Sequence, residues 1–192
     1  MMRIGFVVPA TGLLIAASVA NAADKTVHDE NHGFSLTYPQ EWTDEGPAGE
    51  TIWLKVKSGE RGLTCRVSEG RYDPSDPDSP PDPRVFIEKD WSADTWQTMV
   101  GVAYNSAQFS GDRLGRFPDG YPVRITEMDF HYVDSNVDFY GHAVVALSLR
   151  GTHYGLVNCG VAGDSADDAR RRWEPQAEAA VKVVGSFVLD PR

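Results

Sequence analysis

The sequence predicts an α+β domain in which an antiparallel β-sheet of about six or more strands packs against helices. Three observations predict this class. Short segments of alternating apolar and polar residues recur through the chain. The turns joining the early ones are too short for helical crossovers, and a three-to-four-residue apolar repeat is confined to one central stretch and the end of the chain.

Residues 1–22 precede the domain. MMRIGFVVPATGLLIAASVANA carries Arg3 near its start, an apolar stretch centred on Gly12–Val19, and the small-x-small ending Ala20-Asn21-Ala22. That three-part pattern is a secretory signal with cleavage expected near Ala22. A retained membrane anchor is the competing reading, and a short run broken by Pro9 and followed by an acidic chain argues against it. No later stretch is apolar enough to span a bilayer, which leaves residues 23–192 as a single exported domain.

Within the domain, Phe34, Leu36 and Tyr38 alternate with Ser35 and Thr37, the period of a half-buried strand ending at Pro39. The polar stretch EWTDEGPAGE reads as a turn region. TIWLKVK alternates again, with Ile52, Leu54 and Val56 on one face. LTCRVSE follows a tight turn, with Leu63, Cys65 and Val67 inward. His28 and His32 lie ahead of these strands, in a segment expected to be flexible.

Residues 72–84 form an Asp/Pro-rich surface loop. Pro74, Pro77, Pro80, Pro81 and Pro83 remove backbone donors there and stiffen the chain without folding it back. WSADTWQTMVGVAY then predicts a helix with Trp96, Met99, Val100 and Ala103 on one stripe and Ser92 or Asp94 near its start. Residues 107–117 read as a strand with an internal turn. After the FPDGYP turn, residues 123–133 change phase: Val123 and Ile125 share one face, Met128, Phe130 and Tyr132 the other. A bulge between the halves would reconcile them. Residues 139–149 and 153–159 complete the strands.

The C-terminal stretch is helical. Ser165 and Asp168 have the spacing of a capping box, and Ala169, Trp173, Ala177, Ala180, Val181 and Val184 fall on a three-to-four-residue repeat. Pro175 must kink this helix or start its second segment. Phe187 and Leu189 then dock the tail on the core.

Cys65 and Cys159, the two cysteines of the chain, both sit in alternating apolar segments. In an exported protein such a pair forms a structural disulfide, and no C-x-x-C places the thiols for redox work. Chain entropy gives a closed loop of this length about 4.7 kcal/mol, less any strain. The chain has 18 Lys+Arg against 28 Asp+Glu, a net charge of −10. That balance repels nucleic acid and anionic lipid and favours cationic partners or metal ions.

Asp73, Asp76, Asp78 and Asp82 are a candidate ligand set for calcium or another divalent cation, since hard cations need several converging oxygens. Their spacing is not that of an EF-hand loop, because Asp78 stands where a Gly is required and Arg84 where a Glu is required. Asp129 and His131 share a strand face with Glu127, which makes a metal or acid–base pair geometrically feasible; an outer solvent-facing strand looks the same. The chain has no H-E-x-x-H, no G-x-S-x-G and no glycine-rich phosphate loop, so no catalytic residue and no bound cofactor is expected. Arg170, Arg171 and Arg172 lie beside Asp167 and Asp168, as ion pairs on a helix surface do. Among the tryptophans, Trp53 lies opposite Ile52, Leu54 and Val56, where a helix covers it or it joins an exposed aromatic patch for a partner.

GFSLTYPQEW, the strand–turn–strand after it, the late strand HYGLVNCG and a terminal helix ending in VVGSF together resemble the PsbP/Mog1/DcrB-like superfamily. Members start with an aromatic-aliphatic strand running into Pro-x-x-Trp, matched by Phe34, Leu36, Tyr38, Pro39 and Trp42. They end with a helix followed by Ser-Phe, matched by Ser186 and Phe187. The resemblance implies a layered α+β fold and no shared catalytic centre. Its known members serve as photosystem extrinsic subunits, a nuclear transport partner and bacterial envelope proteins. The functional expectation is an exported, non-catalytic protein of the bacterial periplasm, or a secreted one, that binds an envelope protein as an assembly or accessory factor. The alternatives are a divalent-metal or small-ligand-binding periplasmic protein and an enzyme of unidentified mechanism. Oligomeric state is left open.

Overall fold

A computed structural model describes residues 23–59 and 62–191; the expected leader and its cleavage point lie outside the described residues. The chain forms β1 (Asp24–Asp29), β2 (Phe34–Pro39), β3 (Thr43–Ala48), β4 (Ile52–Lys57) and β5 (Thr64–Arg71). A helical segment follows, comprising α1 (Pro83–Val85), a wider turn at Phe86–Asp90 and α2 (Ala93–Met99). Next come β6 (Ser106–Arg116), β7 (Pro122–Asp134), β8 (Val137–Arg150) and β9 (His153–Gly163). The chain closes with α3 (Ala166–Trp173), α4 (Ala177–Gly185) and β10 (Val188–Leu189).

Seven strands pair in the order β3-β4-β5-β9-β8-β7-β6, and β1-β2-β10 make a second, smaller sheet. Each described pairing is antiparallel. Both faces of the large sheet are covered. On one, Leu54, Val56, Val67, Val144 and Val157 meet Phe34, Leu36 and Tyr38 of β2 and Ala180, Val183 and Val184 of α4. On the other, Met128, Ala143, Val145, Leu147 and Leu149 meet Ile87, Trp91, Trp96 and Val100. β8 feeds both cores by alternation, which explains its uninterrupted burial from Gly141 to Leu149.

The disulfide forms as expected. Cys65 and Cys159 are direct cross-strand partners on β5 and β9, with Cα atoms 4.0 Å apart and both side chains fully buried. The tail docks as expected too, with Leu189 1% exposed and β10 completing the small sheet beside β2. Ser186 gives the Ser-Phe ending a physical role. Its hydroxyl accepts from the Thr37 N–H at 2.9 Å and shares its own proton between the carbonyls of Thr37, at 2.9 Å, and Val183, at 2.7 Å.

Several expectations need correction. Residues 24–29 are strand β1, paired with β2 along its length, because Val27 packs on the core and backbone pairing supplies the rest. The polar stretch expected to be a turn region holds β3, an edge strand whose register shifts on either side of Gly46, which has φ +69°. Pro47 is tolerated there because an edge strand leaves one side of its ladder unpaired. The bulge expected in β7 lies instead in β6, between Ser110 and Arg113, where Gly111 takes φ +66°. β7 itself pairs with β8 without a shift. Its pattern changes phase because Val123 and Ile125 pack on one core and Met128 and Phe130 on the other.

Trp53 is not opposite Leu54 and Val56 in its packing. The β4–β5 register shifts between Ile52 and Leu54, which breaks strict alternation, and Trp53 packs against the same core, stacked on His32 at 3.8 Å. His32 is thereby held. The terminal helix breaks at Glu174–Gln176 into a tighter 3-10 turn, and this shifts the buried stripe so that Val183 is inside while Val181 is 38% exposed. The central helix ends at Met99, and Ala103 is exposed after it.

Replacing both cysteines, Cys65→Ala with Cys159→Ala, removes a crosslink between residues separated by 94 positions. The expected loss is about 2–5 kcal/mol of unfolding free energy, read from urea denaturation of the double variant against the oxidised protein.

Candidate functional site

The Asp/Pro loop is organised by its own carboxylates. Asp73 accepts from the Ser75 N–H at 2.8 Å and hydroxyl at 2.7 Å, and Asp76 accepts from the Asp78 N–H at 2.9 Å. Asp82 caps α1 through the N–H groups of Arg84 and Val85. Two successive turns, Asp73 to Asp76 and Asp76 to Ser79, double the chain back, contrary to the stiff, extended course expected. Asx turns supply the reversals that the prolines alone do not. Three of the four candidate ligands therefore have local work, and Asp78 makes no side-chain hydrogen bond or ion pair among the described residues.

Asp129 and His131 share a face of β7, as the alternation requires, but each takes a different partner. Asp129 lies opposite His142 of β8 in the register and accepts from its Nδ1 at 2.7 Å. It also accepts two bonds from Arg170 of α3, at 3.2 Å from Nε and 2.7 Å from the terminal nitrogen. His131 pairs with Asp138 at 2.8 Å and stacks on Tyr140 at 4.2 Å. His142, 8% exposed, rests 4.9 Å from the Trp173 ring, and its Nε2 is 3.7 Å from Glu127 without a hydrogen bond among the described residues. Arg170 thus does more than the helix-surface pairing expected of it, since it fastens α3 to the sheet. Arg171 and Arg172 do pair within the helix, with Asp168. No group of three or more His, Cys, Asp or Glu able to hold a metal is found among the described residues.

Burial pushes the Asp129 carboxyl up, but the bonds from Arg170 and His142 outweigh it and hold the group below the usual carboxylate range. Such a group stabilises the fold above its unfolded pKa, about 3.9, and that contribution is lost as the pH falls through the lower folded value.

The β7–β8 hairpin carries a cluster of partly exposed aromatic side chains near this network. Beyond Tyr140, β8 has no β9 partner, and beyond His131, β7 has no β6 partner, so residues 132–139 overhang both neighbours. Ser135, at φ +38°, and Asn136 make the two-residue turn between Asp134 and Val137. On one face of the hairpin Phe130, Tyr132 and Phe139 form a cross-strand cluster, with ring pairs at 6.0 and 5.4 Å, joined by Tyr104 at 4.5 Å from Phe130. These four rings are only half-buried, while Val133 and Val137 at the tip are 44% and 49% exposed. The cluster depends on Gly141, because a Cβ there would lie 2.1 Å from the Phe130 ring. The exposed aromatic patch offered by the sequence at Trp53 is absent there, because Trp53 packs on the first core. The signal that locates the hairpin cluster is Phe130 and Tyr132 alternating on one side of a DSNV turn with Phe139 on the other.

Two outcomes follow from this geometry. Gly141→Ala should cost about 1–3 kcal/mol in thermal or urea unfolding, because the Phe130 ring must leave its seat on β8. Asp129→Asn should lower the melting temperature at neutral pH, and the gap from wild type should narrow below about pH 3.9, in melts recorded across the acid range.

No family model matches the chain, and no curated protein sequence matches it significantly. Solved structures do. The solution structure of cyanobacterial PsbP (CyanoP) from Synechocystis sp. PCC 6803 aligns with a TM-score of 0.55 at 14% identity, over 94% of this chain and 98% of that one. The crystal structure of LpqN, involved in cell envelope biogenesis of Mycobacterium tuberculosis, aligns with a TM-score of 0.44 at 12% identity, over 88% of this chain and 91% of that one. The layered sheet, the docked C-terminal helix and the alignment with CyanoP across nearly both chains establish that this protein has the PsbP-like fold.

Proposed function

We propose that the protein is an exported accessory factor of the bacterial envelope that acts by binding another protein, and that the overhanging β7–β8 hairpin is its docking surface. One observation carries the reading: Phe130, Tyr132 and Phe139, all half-buried, form a ring cluster on a hairpin whose tip projects past both neighbouring strands, and Tyr104 packs against its base. Aromatic side chains are the residues that interfaces favour, because they bring large apolar area at small entropic cost. A two-stranded overhang can also enter a cleft that a flat sheet cannot. The Cys65–Cys159 bridge is compatible with an oxidising compartment outside the cytoplasm. No helix among the described residues is long and apolar enough to cross a membrane. LpqN's involvement in envelope biogenesis belongs to that protein, and its low similarity lends this reading no weight.

The test is crosslinked capture from envelope extract with the oxidised protein and with Tyr132→Ser/Phe139→Ser. One dominant partner should be captured by the wild type and reduced at least about tenfold with the variant, while far-UV circular dichroism is unchanged. Capture that survives the double substitution would move the interface elsewhere. Absence of any partner would remove the protein-binding reading itself.

A further inference from the structure

At the other end of β8 from the overhanging hairpin, the folded-back Asp/Pro loop and α2 border an open groove of about 460 Å³. Leu149 of β8, Tyr154 of β9, Tyr72, Phe86 and Met99 supply its apolar lining. The two tyrosines are fixed in place. The Tyr72 hydroxyl donates to the Gly151 carbonyl at 2.6 Å, and the Tyr154 ring lies over Gly70, where a Cβ would come within 2.5 Å of its hydroxyl. The loop wall is fixed as well, since the Ser79 hydroxyl donates to the Asp73 carbonyl at 2.6 Å.

The groove has two carboxylates on its walls, Asp78 from the loop and Asp94 from the first turn of α2, and no Lys, Arg or His. Neither carboxylate makes an ion pair or side-chain hydrogen bond among the described residues, although Asp73, Asp76 and Asp82 of the same loop all do. Asp78 and Asp94 are exposed, so an apolar groove of fixed side chains is bordered by two carboxylates that have water but no protein cation beside them, and this favours a positive ligand over a neutral or negative one. The groove's volume suits a small molecule, and tyrosine faces add attraction for a cation.

We propose that this groove binds a small organic cation, an ammonium group on an apolar or aromatic body, with the body on Tyr72, Tyr154 and Leu149 and the charge between Asp78 and Asp94. The site is separate from the hairpin, and neither assignment depends on the other.

Three probes with one body and different charge test it: 4-phenylbutylammonium, 4-phenylbutanol and 4-phenylbutyrate, titrated at low salt into the oxidised protein with methyl shifts of Met99 and Leu149 as the readout. The ammonium probe should bind at least about tenfold more tightly than the alcohol, and the carboxylate weakest of the three. Asp78→Asn/Asp94→Asn should bring the ammonium to within about threefold of the alcohol while leaving the alcohol's own affinity unchanged. Thr98→Trp, on the exposed wall of α2, should fill the groove and abolish the shifts without lowering the melting temperature. Equal affinity for the three probes, or no shift at about 10 mM ammonium probe, overturns the proposal. A groove that ignored the amine but took up acetyl-Phe-Lys-Phe-amide would be a docking site for a basic apolar peptide, and would overturn the small-ligand assignment too.

Discussion

The pairing of β5 with β9 is the joint on which the rest of the structure depends. Each strand ends a separate antiparallel run, β3-β4-β5 and β6-β7-β8-β9, and the chain travels through the Asp/Pro loop, α1 and α2 between them. Only the ladder from Thr64↔Gly160 to Arg71↔His153 makes those runs one sheet. Closing so long a loop is entropically costly, and the cost is met at the joint itself. Cys65 and Cys159 crosslink one end inside the first core, and His153 and Glu69, both nearly buried, pair at 2.5 Å toward the other. The bridge holds the ladder in register and keeps the unfolded chain from exploring its full freedom.

Once that sheet exists, its two faces must be covered differently. The β1-β2-β10 sheet, α3 and α4 cover one, and the segment between β5 and β6 covers the other. Neither cover reaches the whole length of the long β7–β8 hairpin. At one end the strands outrun β6 and β9 and leave Tyr132 and Phe139 partly exposed. At the other, a stiff loop and a short helix meet over tyrosines without filling the space between them. Both candidate surfaces thus arise from a mismatch between strand length and covering elements.

The acidity of the chain is distributed unevenly in its effects. Many carboxylates are spent on local geometry: Asp82 caps a helix, Asp73 and Asp76 shape turns, Asp168 gathers two arginines, and Asp129 ties α3 to the sheet through Arg170. Exposed pairs of this kind add little individually to stability. Asp129 is different in kind, because its partners come from β8 and α3 and so fix how the terminal helix lies on the sheet.

The sequence by itself determined the α+β class, the alternating strands β2, β4 and β5, the pairing of the two cysteines and the docking of Phe187 and Leu189, because each rests on local periodicity or on a choice with one solution. The Ser-Phe ending and the Pro-x-x-Trp strand also pointed to the fold that the comparison with CyanoP supports. Tertiary structure alone decided the rest. β1 and β3 have too few apolar residues to declare themselves and exist because a neighbour offers backbone partners. The phase change of β7 is invisible as anything but a defect until two cores are known to lie on opposite faces. Asp129 and His131 looked like a pair along one strand, whereas each found its closer partner across the sheet, 13 and 7 residues away in sequence. The aromatic overhang and the acidic groove are set by where neighbouring elements stop. That is a property of packing at a distance, which no local pattern of residues records.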